Sequence, residues 1–360
     1  ILNLAEQHPA KLRHGADKAK FISSNDTNGF TFRGRFIDAS QACGVGFEVT
    51  QKAHNALRWL ITRQAYRNGD QAIVAWAVSG KRIPDPFANS FDLFGIVSEE
   101  PEAKQNHVDP SDAGQAFSQR LAKKLAGYRV EIGSAKEVVV MGLDSATPGR
   151  MAITYYRELD HSEFLNRIEA WHKEYAWYQN FSKDMKFIGA PAPKDVAEAA
   201  FGRRLDEKLR KATIERLLPC IIDGQNIPFD LVESTVRRIS NRVGLEYWEW
   251  EKYLGIACAL FRGYQKERGY QMALELNRTS RDYLYGRLLA IAENIEDRAL
   301  YVGGEKRDTS AAKLMQRFAD HPFSTWKTIE LSLSPYKTRL RSKRPAFLAT
   351  MESQLDEVIN

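Results

Sequence analysis

Residues 48–78, EVTQKAHNALRWLITRQAYRNGDQAIVAWAV, combine the signals of a helix, a tight turn and a strand. Four apolar residues share the spacing of one helix face: Ala53, Leu57, Leu60 and Ile61. The Thr50 hydroxyl is a candidate cap for the first turn, and Asn68-Gly69-Asp70 predicts the helix end, because glycine tolerates the left-handed conformation of a C-cap. The following run, QAIVAWAV, is nearly all apolar, so we expect a strand that is buried on both sides.

Two further segments have strand character and are expected to lie beside this strand. Residues 137–143 and 151–156 are rich in β-branched and aromatic residues, which suit a pleated and half-buried surface. From Asp160 onward the pattern changes to almost continuous helix, and one apolar stripe is formed by Phe164, Ile168, Trp171 and Tyr175. Helices are predicted at 115–126, 195–218, 229–243, 246–268, 279–300, 309–319 and 345–358. The predicted fold class is α+β: an N-terminal mixed region with a small, largely antiparallel sheet and packed helices, followed by an all-α helical bundle.

The length of 360 residues favours two domains over a single core. Residues 183–194, KDMKFIGAPAPK, contain two prolines among small residues and predict a linker. The predicted domains are an α+β domain at 1–182 and a helical bundle at 195–360. Residues 79–115 are rich in Gly, Pro, Asp and Asn and predict a long connection inside the first domain.

The composition is that of a globular protein, with 43% hydrophobic and 27% charged residues. No apolar run approaches the roughly 20 residues of a membrane span, so no membrane partner is predicted. The three cysteines, Cys43, Cys220 and Cys258, are widely separated, which favours reduced thiols and a cytoplasmic location over a zinc site or a disulfide framework. The sequence begins without Met and without the apolar region of a signal peptide, so we expect it to be part of a longer chain.

The usual catalytic and cofactor motifs are missing from the sequence. The seven histidines never pair as H-x-x-x-H, Gly44-Val45-Gly46 lacks the third glycine of a dinucleotide loop, and neither a P-loop nor G-x-S-x-G occurs. Acidic residues alternate with basic ones, as at 249–252, which is typical of a solvated helix face. We therefore predict no cofactor and no enzymatic activity, with a nuclease built from scattered carboxylates as the remaining alternative.

Basic residues gather in clusters, and the net charge of +6 favours an anionic partner. The N-terminal loops contribute Lys11, Arg13, Lys18, Lys20, Arg33 and Arg35. The long connection and the helix after it contribute Lys81, Arg82, Lys123 and Lys124. The predicted bundle contributes Arg203, Arg204, Lys208, Arg210, Lys211, Arg237, Arg238, Arg242, Lys337, Arg339, Arg341, Lys343 and Arg344.

Two of these clusters stand out in the bundle. Arg203 to Arg210 are expected to span two turns of one helix, and no acid occurs from Leu331 to Met351 around the last cluster. Such runs attract phosphate backbones without reading bases, so all of these residues are predicted to bind nucleic acid. A solvated surface patch without a ligand is the alternative for each cluster.

Five separated blocks carry a resemblance to a known family: FISSNDTNGF (21–30), VTQKAHNALRWL (49–60), GDQAIVAWA (69–77), VVMGLDSATPGRMAITYYRE (139–158) and DYLYGRLLAIAENIEDRAL (282–300). In this order they resemble the large subunit of the type I-C CRISPR surveillance complex, Cascade. The resemblance spans essentially all 360 residues and corresponds to the middle and C-terminal part of the family, including its small-subunit-like helical region. The sequence departs from the family in having KLRHGADKAK where a Ser-rich loop is expected. We also expect that the N-terminal portion that would read much of the adjacent motif is not included in this sequence.

The resemblance implies a non-catalytic subunit that binds target DNA, contributes to recognition of the adjacent motif and stabilises the displaced strand of the R-loop. The implied partners are double-stranded target DNA and its displaced single strand, the CRISPR guide RNA, the backbone and 5′-end subunits of the complex, and a recruited helicase-nuclease. Guide pairing would then supply sequence specificity, while the protein contacts shape and backbone. The alternative is a protein-interaction scaffold that docks on guide RNA or partner subunits without direct DNA contact.

Overall fold

The computed structural model describes residues 45–94, 110–132, 137–147 and 150–359, together with positions 37 and 41. The predicted α+β class is confirmed: an antiparallel sheet lies in the N-terminal half, and only helices follow from residue 193 within the described ranges.

One four-stranded antiparallel sheet organises the N-terminal half. Its strands are β1 (Tyr66–Asn68), β2 (Gln71–Ala77), β3 (Glu137–Thr147) and β4 (Arg150–Asp160), and they lie side by side in sequence order. Strand β2 is central, pairing with β1 on one edge and with β3 on the other. The expectation that β2 is buried on both sides is confirmed, because all of its residues except Trp76 are buried.

The two faces of the sheet belong to different hydrophobic clusters. Helix α1 (Phe47–Gln64) covers one face, where Leu57 and Ile61 pack with Val74. The other face joins a much larger cluster through alternate residues such as Ile73 and Val140. The period-two alternation of a strand is what divides a single apolar run between two clusters.

Two details predicted for this region were wrong. Helix α1 starts at Phe47, so Thr50 lies inside it, and its hydroxyl donates to the Gly46 carbonyl at 3.0 Å instead of capping the helix. The helix ends at Gln64, and Asn68-Gly69-Asp70 forms the turn between β1 and β2, with Gly69 at φ 59°. The glycine supplies the left-handed conformation that was expected of it, but in a hairpin.

Three helices and a second hairpin complete this half. The helices are α2 (Ser90–Phe94), α3 (Pro110–Ile132) and α4 (His161–Glu174), and the hairpin consists of β5 (Trp177–Asn180) and β6 (Lys186–Gly189). The predicted stripe on α4 is confirmed, since Phe164, Ile168, Trp171 and Tyr175 are all buried. Buried Gln179 of β5 donates to the Gly255 carbonyl at 3.2 Å, which attaches the hairpin to the helical half.

The remaining helices are α5 (Pro193–Phe201), α6 (Glu207–Ile222), α7 (Phe229–Ser240), α8 (Tyr247–Tyr264), α9 (Arg281–Gly303), α10 (Ser310–Asp320), α11 (Pro322–Ser332), α12 (Ser334–Lys343) and α13 (Pro345–Ile359). The single helix predicted at 195–218 is divided in two, because Gly202 ends α5 at φ 97°. Helices α11 and α12 were missed by the sequence analysis. Proline stands at the beginning of both, where its fixed φ and missing amide suit the first helical turn.

Two large hydrophobic clusters hold the chain together. The first runs from Ile73 to Leu260 and therefore includes residues on both sides of 183–194, of which Lys186–Gly189 form β6. The second runs from Leu288 to Val358 and joins α9 to α13. The division into domains at 183–194 remains a prediction. Among the helices that the structure describes, none is both long enough and apolar enough to cross a bilayer.

Candidate nucleic-acid interface

The turn between α5 and α6 and the first turn of α6 carry a group of exposed cations. Arg203 and Arg204 lie in this turn, and Asp206 caps α6 by accepting from the Lys208 amide at 3.1 Å. The expectation of one helix from Arg203 to Arg210 was therefore wrong. We call the four cations Arg203, Arg204, Lys208 and Arg210 the turn cluster.

The turn cluster is free of acidic partners. None of its four side chains forms an ion pair with any residue that the structure describes, and all except the half-buried Arg210 are exposed. The Arg203 guanidinium lies 5.0 Å from the centroid of the Trp248 ring, and Trp248, in the first turn of α8, is 49% exposed. A nearby aromatic ring was not anticipated, because 45 positions separate Trp248 from Arg203 in the sequence. An exposed indole beside unpaired cations has the chemistry of a single-strand binding surface.

Lys211, one residue after the turn cluster, has a different environment. Its ammonium lies 3.0 Å from Asp70 and 2.5 Å from Asp144, and its side chain is only 17% exposed. Burial lowers the pKa of Lys211, but the hydrogen bonds to Asp144 and Asp70 outweigh it and raise the pKa overall. Lys211 therefore ties α6 to the β1–β2 turn and to β3.

The arginines predicted around α7 also have acidic partners within the protein. Arg237 pairs with Glu233 at 2.9 Å on the surface of α7. Arg238 lies 3.8 Å from Glu249 and 5.3 Å from the Tyr253 ring centroid, beside Gly202. Arg242 follows α7 in a short 3-10 helix, where it pairs with Glu293 and stacks on Trp250 at 4.0 Å.

The basic run at 337–344 forms most of α12, and folding brings acids to it from elsewhere. Lys337 and Arg341 each lie 3.6 Å from Glu352 of α13. Arg339 pairs with Glu305 at 2.6 Å and donates to the Ala299 carbonyl at 3.1 Å. The hydrogen bonds from Arg339 and Arg307 lower the pKa of the Glu305 carboxyl. Lys343 and Arg344 are exposed, and neither has an ion-pair partner in the part of the chain that the structure describes.

The cations predicted in the N-terminal half differ in their surroundings, and six of them lie outside the described residues. These six are Lys11, Arg13, Lys18, Lys20, Arg33 and Arg35. Lys123 is exposed on α3, whereas the Lys124 ammonium donates to the Phe94 carbonyl at 3.4 Å. Lys81 and Arg82 are exposed on the wall of a groove of about 690 Å³ beside α1.

A serine–histidine contact lies in the interior and was not predicted. Ser90 Oγ is 2.7 Å from His172 Nδ1, and both side chains are fully buried. The Ser90 hydroxyl oxygen also accepts from the Ala190 amide at 2.8 Å, so the contact joins α2, α4 and the end of β6. Burial lowers the pKa of His172 to about 3, which keeps the imidazole neutral. Since no solvent reaches the pair, its role is to hold these elements together. Across the described ranges, no group of three or more His, Cys, Asp or Glu side chains is placed to hold a metal ion.

The sequence matches the model of a known protein family. The model of the family described as CRISPR-associated protein (Cas_Csd1) matches residues 2–360, which is nearly the whole chain. A search of curated proteins returned no match.

Proposed function

Because the chain belongs to the Cas_Csd1 family of CRISPR-associated, Cascade-type proteins, we propose that it is a non-catalytic large subunit of a type I-C Cascade complex. In this role it binds target DNA, contributes to recognition of the adjacent motif and stabilises the displaced strand of the R-loop. The observation that supports this role best is the turn cluster with its neighbouring indole.

The turn cluster is suited to binding phosphates because its cations form no ion pairs with carboxylates of the described chain. A cation that is paired with a carboxylate must leave that partner before it can contact a phosphate, whereas Arg203, Arg204 and Lys208 have no carboxylate partner among the described residues. Each phosphate contact made by such a residue releases counterions and adds to the salt dependence of binding.

The ligand that fits this surface best is a single strand. Trp248 can stack on a base only where the base is not already stacked inside a duplex, and the cations beside it follow the backbone without reading sequence. The displaced strand of an R-loop has these properties. The guide RNA, the 5′-end and backbone subunits and the recruited helicase-nuclease are further proposed partners, in a cytoplasmic complex.

A protein-interaction scaffold is the second candidate, and a different surface favours it. An apolar groove of about 510 Å³ lies between the end of α8 and the beginning of α9, and it is lined by Phe261, Tyr270 and Leu274. Leu274 is largely exposed. Exposed apolar surface of this kind is typical of protein contacts.

The decisive experiment measures the salt dependence of target binding by the assembled complex. Arg203→Gln with Lys208→Gln removes two unpaired cations, and Lys337→Gln with Arg341→Gln removes two paired ones. If each lost single-strand contact lowers the slope of log K against log salt by about 0.7, the first variant loses about 1.4 and the second nearly nothing.

The same variants also identify the strand that is bound. The effect of the first variant should disappear on a target from which the displaced strand is omitted. Equal slopes for both variants, or a loss that persists without the displaced strand, would contradict the proposed role. Crosslinks from the turn cluster to protein alone, with none to DNA, would favour the scaffold.

A further inference from the structure

The groove beside α1 forms because β1 is shorter than β2. Strand β1 pairs only with residues 71–73 of β2, so residues 74–77 have no neighbouring strand on that edge among the described residues. Helix α1 forms one wall beside this edge, and residues 78–87 form the other. The open volume of about 690 Å³ is large enough for a nucleotide or a short segment of chain.

The walls of the groove carry three cations and two indoles. Arg63 comes from α1, and Lys81 and Arg82 come from the opposite wall. All three are exposed, and none forms an ion pair with a residue in the described ranges. Asp85 is the single carboxylate of the lining residues, and it accepts from the Phe87 amide at 2.9 Å. The groove is therefore positively charged.

The two indoles are Trp59 of α1 and Trp76 of β2. Trp59 is 55% exposed, an unusual degree for the largest apolar side chain, while Trp76 is half-buried. The Arg63 guanidinium lies 4.7 Å from the Trp59 ring centroid. A planar cation thus lies over an exposed aromatic ring in the wall of the groove, as Arg203 lies over the Trp248 ring.

Addition of a peptide strand to the open edge of β2 is not favoured by the hydrogen bonds already present. The Val78 amide donates to the Glu137 carbonyl of β3. Because the backbone groups of an antiparallel strand alternate in direction, the amides and carbonyls of Ala75 and Ala77 point to the groove. The Ala75 carbonyl already accepts from the Gln64 side chain, and the Ala77 carbonyl accepts from the Gly80 amide at 2.9 Å. An incoming strand would have to displace both donors.

We propose that this groove binds a segment of single-stranded nucleic acid, with a base stacked on Trp59 and the adjoining phosphates near Lys81 and Arg82. The inference rests on the proposed function for the class of ligand, and it adds a second contact site on the sheet side of the protein. A duplex is not the ligand, because its bases are unavailable to an exposed indole.

The test compares two oligonucleotides of equal charge, oligothymidine and an abasic strand of the same length, by fluorescence anisotropy with the purified chain. Trp59→Ala should weaken binding of oligothymidine by about tenfold, within the range of one lost base stack, and binding of the abasic strand by less than about twofold. Trp59→Phe should restore part of the affinity. Lys81→Gln with Arg82→Gln should weaken both strands to the same degree, because these residues contact phosphates.

The matched control is Phe323→Ala. Phe323 is also exposed, and it also has a cation four residues later, with the Lys327 ammonium 4.4 Å from its ring centroid. It lies on α11, away from the groove, so its loss should leave both affinities unchanged. If Trp59→Ala lowers Tm, nucleic-acid binding by the groove is tested with Lys81→Gln and Arg82→Gln instead, because these exposed side chains do not support the core.

The outcomes separate this inference from the proposed function. If Arg203→Gln with Lys208→Gln weakens binding while neither groove variant does, the groove is refuted and the turn cluster stands. If only the groove variants weaken binding, the turn cluster is refuted and the groove stands. Equal losses on thymidine and abasic strands for Trp59→Ala refute base stacking, and binding of an acidic peptide with no binding of either oligonucleotide refutes both sites.

Discussion

Two segments of the helical half have similar basic sequences but different surroundings after folding. The four cations of the turn cluster at 203–210 form no ion pair within the described chain, whereas three of the five cations at 337–344 are paired with Glu305 or Glu352. In the sequence, the second segment is the more basic neighbourhood, because no acid stands within it. The difference teaches that a run of like charge predicts a binding surface only when the fold brings no opposite charge to it.

The largest effect is expected on the free energy of unfolding, when Lys211, the paired cation that follows the turn cluster, is replaced. Lys211→Met leaves Asp70 and Asp144 without their shared partner. Removing one partner of a buried ion pair costs about 3–5 kcal/mol, and we expect about 2–3 kcal/mol here, because all three side chains keep some contact with water. Lys208→Met, on the same helix but exposed, should change the free energy of unfolding by less than about 0.5 kcal/mol. Urea unfolding of both variants measures the difference, and equal losses would show that Lys211 is not a structural cation.

A second, smaller stability effect is expected inside the run itself. Arg339→Gln removes the ion pair with Glu305 and the hydrogen bond to the Ala299 carbonyl near the end of α9. We expect Tm to fall by about 2–4 °C. Arg341→Gln is the matched control, because Arg341 is 66% exposed and only 3.6 Å from Glu352, and its Tm should stay within about 1 °C. A larger decrease for Arg341 than for Arg339 would reverse the assignment of roles in α12.

Much of the fold was predictable wherever a segment buries one clear face. The α4 stripe is an example, since its apolar residues recur at the period of a helix, and the three long strands were predictable from their apolar, β-branched and aromatic runs. Helix α12 was missed because Leu340 is its one buried residue, and such a helix has hardly any apolar periodicity. Strand β1 was missed because three residues are too few to show alternation, so the glycine after it was assigned to a helix end.

The candidate site was less predictable than the fold, for a different physical reason. Which residues are basic can be read from the sequence, but which of them remain unpaired depends on acids that are distant in the chain. Lys211 and Asp70 are separated by 141 positions, and Arg339 and Glu305 by 34. The two arginine–tryptophan contacts differ in how easily the sequence predicts them. Trp248 is far from Arg203 in the sequence, so this contact could not be predicted. Trp59 and Arg63 stand at i and i+4 on one helix, and this spacing could have predicted their contact.

A third prediction concerns a variant in which the cations of the 337–344 run become unpaired, like those of the turn cluster. Glu352→Gln removes the carboxylate that Lys337 and Arg341 share, so both cations become free to contact phosphates. Single-strand affinity should rise by about threefold per released contact at low salt, with a steeper salt slope. The control is Glu357→Gln on the same helix, because Glu357 pairs with Arg287 outside the run. Anisotropy titrations at two salt concentrations measure both variants, and an unchanged slope for Glu352→Gln would show that α12 does not face nucleic acid at all.

The smallest effect is expected at the end of α12, where the run is already free. Lys343→Gln with Arg344→Gln should lower single-strand affinity by about twofold to threefold, because these two exposed cations have no ion-pair partner in the described chain. Their Tm should not change, since neither side chain supports the core. Lys337→Gln with Arg341→Gln removes the same charge from the same helix, and it should have a smaller effect on affinity, because Glu352 already opposes both residues. If the paired residues prove the more important for binding, ion pairing does not withhold a cation from phosphate in this protein, and the distinction between the two segments is lost.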